Sequence, residues 1–137
     1  MELRHNNFVV SDDKKKLQLD RVVELLHTTY WAETRSRETI EKSIENSLCF
    51  GIYDGKAQVG FCRCVTDYAT FFWLADVIID EQFRGLGLGR ALMEAVSANN
   101  ALQGLRAVLA TEYAHGLYSK FGFVQTDDHF MTRYPTI

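Results

Sequence analysis

Four consecutive blocks carry the reading of this chain: Trp73-Leu74-Ala75-Asp76-Val77-Ile78-Ile79, then Asp80-Glu81-Gln82-Phe83, then Arg84-Gly85-Leu86-Gly87-Leu88-Gly89, then Arg90-Ala91-Leu92-Met93-Glu94-Ala95-Val96. The first is an apolar run of strand length and the last is a helical stretch, so the glycine-rich turn between them joins a strand to a helix. Such a junction makes an anion site. The first four N–H groups of a helix lack intrahelical partners, the macrodipole places roughly half a positive charge there, and glycines let a phosphate approach the backbone. Arg84 and Arg90 bracket the turn with further positive charge.

Which phosphate ligand fits follows from what the turn lacks. The P-loop pattern fails because no Lys-Ser or Lys-Thr follows the glycines, and the dinucleotide pattern fails because neither Arg90 nor Leu92 is glycine. The spacing that fits is Arg-x-x-Gly-x-Gly, filled by Arg84, Gly87 and Gly89. A second motif lies about thirty residues on, at Ala114-His115-Gly116-Leu117-Tyr118-Ser119-Lys120-Phe121-Gly122-Phe123. With these two motifs in this order the chain resembles the GNAT superfamily of acyl-CoA-dependent N-acyltransferases, whose [QR]-x-x-G-x-[GA] turn binds the coenzyme A pyrophosphate through backbone amides. The resemblance covers most of the chain, with residues 1–50 matching only in pattern.

Size and composition set the frame. At 137 residues and 47% apolar content the chain is expected to form one domain, residues 1–137, with a real core. A net charge of −3 argues against a broad phosphate-binding surface, so nucleic acid is not an expected partner. Lys14-Lys15-Lys16 is read as a solvated lead into a helix. No stretch approaches eighteen uncharged apolar residues, and Met1-Glu2-Leu3-Arg4-His5 has no signal-peptide core, so a cytoplasmic protein without a membrane partner is expected. Cys49, Cys62 and Cys64 sit inside apolar runs and are expected as reduced thiols. No metal is expected, because zinc would need two further ligands beside Cys62 and Cys64.

Periodicity gives the element order. Asn7-Phe8-Val9-Val10 reads as a first strand; Leu19, Val22, Val23, Leu26 and Tyr30 form the apolar stripe of a helix starting near Lys16; and Ser36 caps a second helix carrying Ile40, Ile44 and Leu48. From Leu48 the period changes to two. Residues 48–53 and 59–65 flank Asp54-Gly55, read as the two central residues of a type I′ hairpin turn. A third strand spans Thr70 to Asp80, and after the glycine turn a helix runs to about Ala98, with Asn99-Asn100 as its stop. Leu105 to Thr111 reads as a strand, Ala114 to Phe121 as a helix ended by Gly122, and Phe123 to Thr126 with Phe130 to Tyr134 as a final hairpin. The expectation is an α+β fold: a single GNAT-like domain whose mixed, mostly antiparallel sheet of 6–7 strands is flanked by about four helices.

The resemblance implies acetyl-CoA as co-substrate and a primary amine, of small-molecule type, as acceptor, joined by direct attack in a ternary complex. It implies that residues 84–90, that is Arg84, Gly85, Leu86, Gly87, Leu88, Gly89 and Arg90, hold the pyrophosphate. The pantetheine arm would pair with the backbone of Val77, Ile78 and Ile79, where the family splays this strand from the next one. It places Tyr118 near the thioester sulfur. A phenol is still protonated at pH 7, so Tyr118 is expected as proton donor to the departing thiolate. An alkylammonium must lose a proton before it attacks, and Asp76 and Asp67 are the acidic candidates for base or amine binder, Asp76 as the catalytic residue and Asp67 as a substrate-binding one. Tyr30 and Trp31 can wall the acceptor pocket, Glu33 can hold an ammonium, and Arg35 can clamp a carboxylate. His115 could touch coenzyme or substrate, cap its helix or act as a base. Homodimerisation is a further expectation, and a non-catalytic acyl-CoA sensor or assembly module is the rival reading.

Overall fold

The computed structural model describes residues 1–126 and 129–135. Its centre is one six-stranded sheet in the order β1 (Glu2–His5), β2 (Phe8–Ser11), β3 (Leu48–Asp54), β4 (Ala57–Thr66), β5 (Phe71–Ile79) and β6 (Arg106–Val108). Neighbours from β1 to β5 are antiparallel, and β5 pairs with β6 in parallel. Four helices flank it: α1 (Leu19–Leu26), α2 (Arg37–Glu45), α3 (Leu88–Ala98) and α4 (His115–Ser119). This is the mixed α+β sheet expected from the sequence.

The two faces carry separate cores. Val22, Leu25 and Leu26 of α1 and Ile40 and Ile44 of α2 pack with Cys49, Phe61 and Ile78 on one face. Leu88, Leu92, Met93 and Val96 of α3 and Tyr118 of α4 pack with Phe50, Ile52, Cys62, Cys64, Phe72 and Leu74 on the other. Alternation along β3 and β4 serves both faces, as period-two patterning requires. The three thiols are buried and unpaired.

Strand β5 breaks that alternation, and the break locates the site. Arg63 pairs with Ala75, whereas Phe61 pairs with Ile78, so β5 holds one extra residue opposite Cys62. The bulge falls at Asp76, which takes φ +56°. It reverses the parity of the strand: Phe72 and Leu74 before it, and Val77 and Ile79 after it, face the same core.

Several boundaries differ from the sequence expectation. Strand β1 pairs with β2 through an Asn6-Asn7 turn in which Asn6 takes φ +53°, a left-handed state that Asn tolerates. Lys14–Lys16 forms a separate 3-10 turn capped by Asp13, so α1 starts at Leu19 and ends at Leu26, short of Tyr30. In the β3–β4 hairpin the two residues between strands are Gly55-Lys56, with positive φ at Gly55 and not at Asp54; this is the glycine-first turn rather than type I′. Ser36 caps α2 as expected, accepting from the Thr39 N–H at 3.1 Å. The expected final hairpin is not formed by its described residues, which are irregular, and its turn at 127–128 lies outside the described residues.

Candidate active site

The glycine turn is built from its N-terminal side. Asp80 accepts from the Gln82 N–H at 2.8 Å, capping a 3-10 turn at Glu81–Phe83, and Arg21 of α1 pairs with the same carboxylate. Backbone hydrogen bonding from Gln82, then Arg21, holds the Asp80 carboxyl below its usual range. Gly85 and Gly87 follow at φ +80° and +79°, a region that side chains strain to enter. Gly87 is the N-cap of α3 and offers no side-chain cap, and the first helical bond runs from Ala91 N–H to Gly87 C=O. The N–H groups of Leu88, Gly89 and Arg90 therefore have no intrahelical partner at the positive end of an eleven-residue helix. Among the candidate cofactor residues, Leu86 is half exposed at the lip, and Arg84 donates from Nε to the Ile79 carbonyl at 3.2 Å. Arg90 pairs with Glu94 at 3.3 Å on the exposed helix face.

A brace unseen in the sequence holds this turn. Nε2 of His5, on β1, lies 3.0 Å from the Leu86 carbonyl, and the same ring stands 3.3 Å from where a Cβ on Gly87 would sit. The partners are 81 residues apart.

Strands β5 and β6 touch only at Phe71 to Trp73, opposite Arg106 to Val108. From Leu74 onward β5 has no strand partner on its β6 side among the described residues, which leaves the edge that includes Val77, Ile78 and Ile79 open beside the glycine turn. An extended ligand with amide groups fits an open strand edge, and an anionic one fits the helix end next to it. The residues present thus suit coenzyme A.

Tyr118 and His115, both on α4, line a cavity of about 880 Å³ with Trp73, the end of β6 and Phe123. This cavity reaches neither the glycine turn nor Asp76. Tyr118 is 8% exposed, and burial pushes its phenol up to about 12, so it stays protonated throughout the physiological range.

Asp76 and Asp67 do not stand as free bases. The side chain of Asp76 is 2% exposed; its Oδ1 accepts from the Trp31 indole N–H at 3.0 Å, and its Oδ2 from Arg35 Nη1 at 2.9 Å and Arg63 Nε at 2.6 Å. A carboxylate whose two oxygens are taken by two guanidiniums and an indole is shielded from a substrate amine. The interaction explains the bulge: an αL residue aims its side chain toward the α1–α2 segment, where Trp31 and Arg35 lie. Asp67 caps its own turn, accepting from Thr70 Oγ1 at 2.6 Å and from the N–H groups of Thr70 and Ala69, which lower its pKa. It lies in the turn before β5, whose first residue, Phe71, is itself five residues and about 17 Å of strand from Asp76.

Tyr30 and Trp31 are exposed on the α1–α2 segment, their rings 5.1 Å apart, and Tyr30 also meets Tyr113, from the segment before α4, at 6.3 Å. Sequence reading missed Tyr113, because no periodicity or motif marks a lone aromatic in a loop. Arg35, one of the expected acceptor clamps, is occupied by Asp76.

Fold and site define an α+β domain with an anion-cradling helix end beside a splayed strand edge. A model of the acetyltransferase (GNAT) domain matches residues 45–125, and the chain belongs to the GNAT acetyltransferase family. A Gibberella zeae protein assigned as an acetyltransferase is 31% identical over 134 residues, spanning 80% of this chain and 75% of that protein. The solved structure of a Xanthomonas campestris pv. campestris protein assigned to the GNAT family superposes with a TM-score of 0.90 at 39% identity, covering 97% of this chain and 95% of that one. Glucosamine-6-phosphate N-acetyltransferase from Arabidopsis thaliana shares the fold at a TM-score of 0.62 and 14% identity, over 93% and 99% of the two chains.

Proposed function

We propose that this protein transfers an acetyl group from acetyl-CoA to a primary amine. The observation that carries the reading is the open β5 edge beside a glycine-capped helix end, which together match a ligand that is anionic at one end and amide-bearing along its length. Bound there, acetyl-CoA supplies an activated acyl carbon. The backbone of β5 orients it and the α3 N–H groups neutralise its pyrophosphate.

In the transfer the amine nitrogen forms the new C–N bond, the thioester C–S bond breaks, and the proton lost by the amine passes to solvent. Asp76 is committed to Arg35 and Arg63 and positions the acceptor segment. Tyr118 donates a hydrogen bond to the departing thiolate. Burial keeps the phenol protonated, so its hydroxyl remains a donor toward that sulfur. Incubating the protein with acetyl-CoA and a panel of primary amines, while following release of free thiol, tests the reading. Amine-dependent thiol release is expected; tight acetyl-CoA binding without release for any amine would overturn it.

A further inference from the structure

Three aromatic rings from two distant segments meet in solvent at the edge of this site. Tyr30 meets Trp31 edge to face at 86° and Tyr113 edge to face at 80°, so the three rings form one contiguous aromatic cluster. All three remain exposed, Tyr113 at 85%. A cluster of large apolar rings left in water marks a surface that something covers.

Charge narrows what covers it. Glu112 precedes Tyr113 and Glu33 follows Trp31 by two residues, and both carboxylates are exposed. Glu112 adjoins Tyr113 in the chain, and after desolvation its charge is the next cause that pushes the Tyr30 phenol up. The guanidinium of the same segment, Arg35, is turned away onto Asp76. Aromatic faces with a nearby carboxylate favour a cation over a neutral or anionic group. Trp31 also anchors the cluster to the β5 bulge through its indole N–H on Asp76, next to the open strand edge.

We propose that Tyr30, Trp31 and Tyr113 form an aromatic cage for an alkylammonium group of the acceptor, with Glu112 as counter-charge, and that the acceptors are diamines. The inference rests on the acyl-transfer reading above. A caged nitrogen is charged, whereas the attacking nitrogen must be neutral, so the two are different groups of one molecule: one end is held at the rings while the other reaches β5.

Trp73→Phe leaves Trp31 as the sole tryptophan of the two in the chain, so its emission reports the cage. Without coenzyme, this variant is titrated with choline and with 3,3-dimethylbutan-1-ol, its neutral isostere. Choline is expected to bind about ten-fold or more tightly than the alcohol, and to lose that advantage when Tyr113→Ala or Glu112→Gln is added. An equal response to both probes, or none to either, overturns the cage. In turnover with acetyl-CoA, kcat/KM for 1,5-diaminopentane is expected to exceed that for pentylamine by about ten-fold or more. Equal values, or transfer to neither, overturn the diamine assignment. Calorimetric titration with acetyl-CoA runs alongside; absent binding there overturns the acyl-transfer reading, while the choline result is read independently of it.

Discussion

Asp76 shows how a single side chain changes role once its neighbours are known. As an acid on the strand beside the acyl slot it reads as a base; with Trp31, Arg35 and Arg63 around it, it ties the acceptor segment to β5. The two roles separate by pH. Asp76→Asn keeps the side-chain shape and the tolerance for positive φ, so the variant is expected to raise KM for the amine while its pH profile keeps the wild-type form. Partial recovery of kcat/KM at high pH would instead mark a lost base. Asp76→Ala strips two guanidiniums of their shared partner and is expected to cost about 3–5 kcal/mol in urea unfolding. Tyr118→Phe removes only a hydroxyl, so kcat should fall roughly 10²-fold with acetyl-CoA affinity within two-fold of wild type, as calorimetry and steady-state rates will show.

Within the strand–turn–helix element, the glycines are not equivalent. Gly87 sits at φ +79° with the His5 ring close by, so Gly87→Ala forces a side chain into a strained conformation, at a cost of about 1–3 kcal/mol, and should weaken acetyl-CoA binding. Gly89 lies inside α3, where an added Cβ would meet Leu117 Cδ2 at an ordinary 3.5 Å. Gly89→Ala is therefore expected to stabilise the helix by about 1 kcal/mol and leave coenzyme affinity near wild type. His5→Ala releases the brace on Leu86; one hydrogen bond of about 0.5–1.5 kcal/mol corresponds to a two- to ten-fold rise in the acetyl-CoA dissociation constant. The glycine spacing was plain in the sequence because a left-handed turn is a local demand. The His5 brace was not, because it depends on where the β1–β2 hairpin folds back.

For the molecule as a whole, burial of neutral acids sets an alkaline limit. Desolvation raises the Cys49 thiol to about 11 and Cys64 and Tyr118 to about 12, with Tyr53 also at about 12. In each case the folded-state value lies above the unfolded one of 9.0 for the thiols and 10.0 for the phenols, so this contribution is intact below pH 9 and is lost as pH rises toward 11–12. The urea midpoint is expected to be level between pH 7 and 8.5 and to fall steadily above pH 9. A midpoint unchanged at pH 10.5 would show that these groups ionise freely in the folded protein. The same burial should keep all three thiols unreactive to a thiol-specific reagent until the chain unfolds.

The sequence by itself determined the features that rest on short-range rules. The Ser36 cap, the period change at Leu48, the glycine turn opening α3 and the mixed α+β order each follow from residues within a turn or two of one another. Tertiary structure alone decided the site's working parts. Ala75 and Ile78 read as one regular strand, and the bulge at Asp76 appears only when β4 supplies the register. Arg35 read as a free clamp and is bound 41 residues away, while Tyr113 joins Tyr30 only because β6 returns the chain beside β5. Propensity and periodicity act along the chain, whereas charge pairing, strand register and ring contact act through space, and no local pattern encodes which distant partner a side chain will meet.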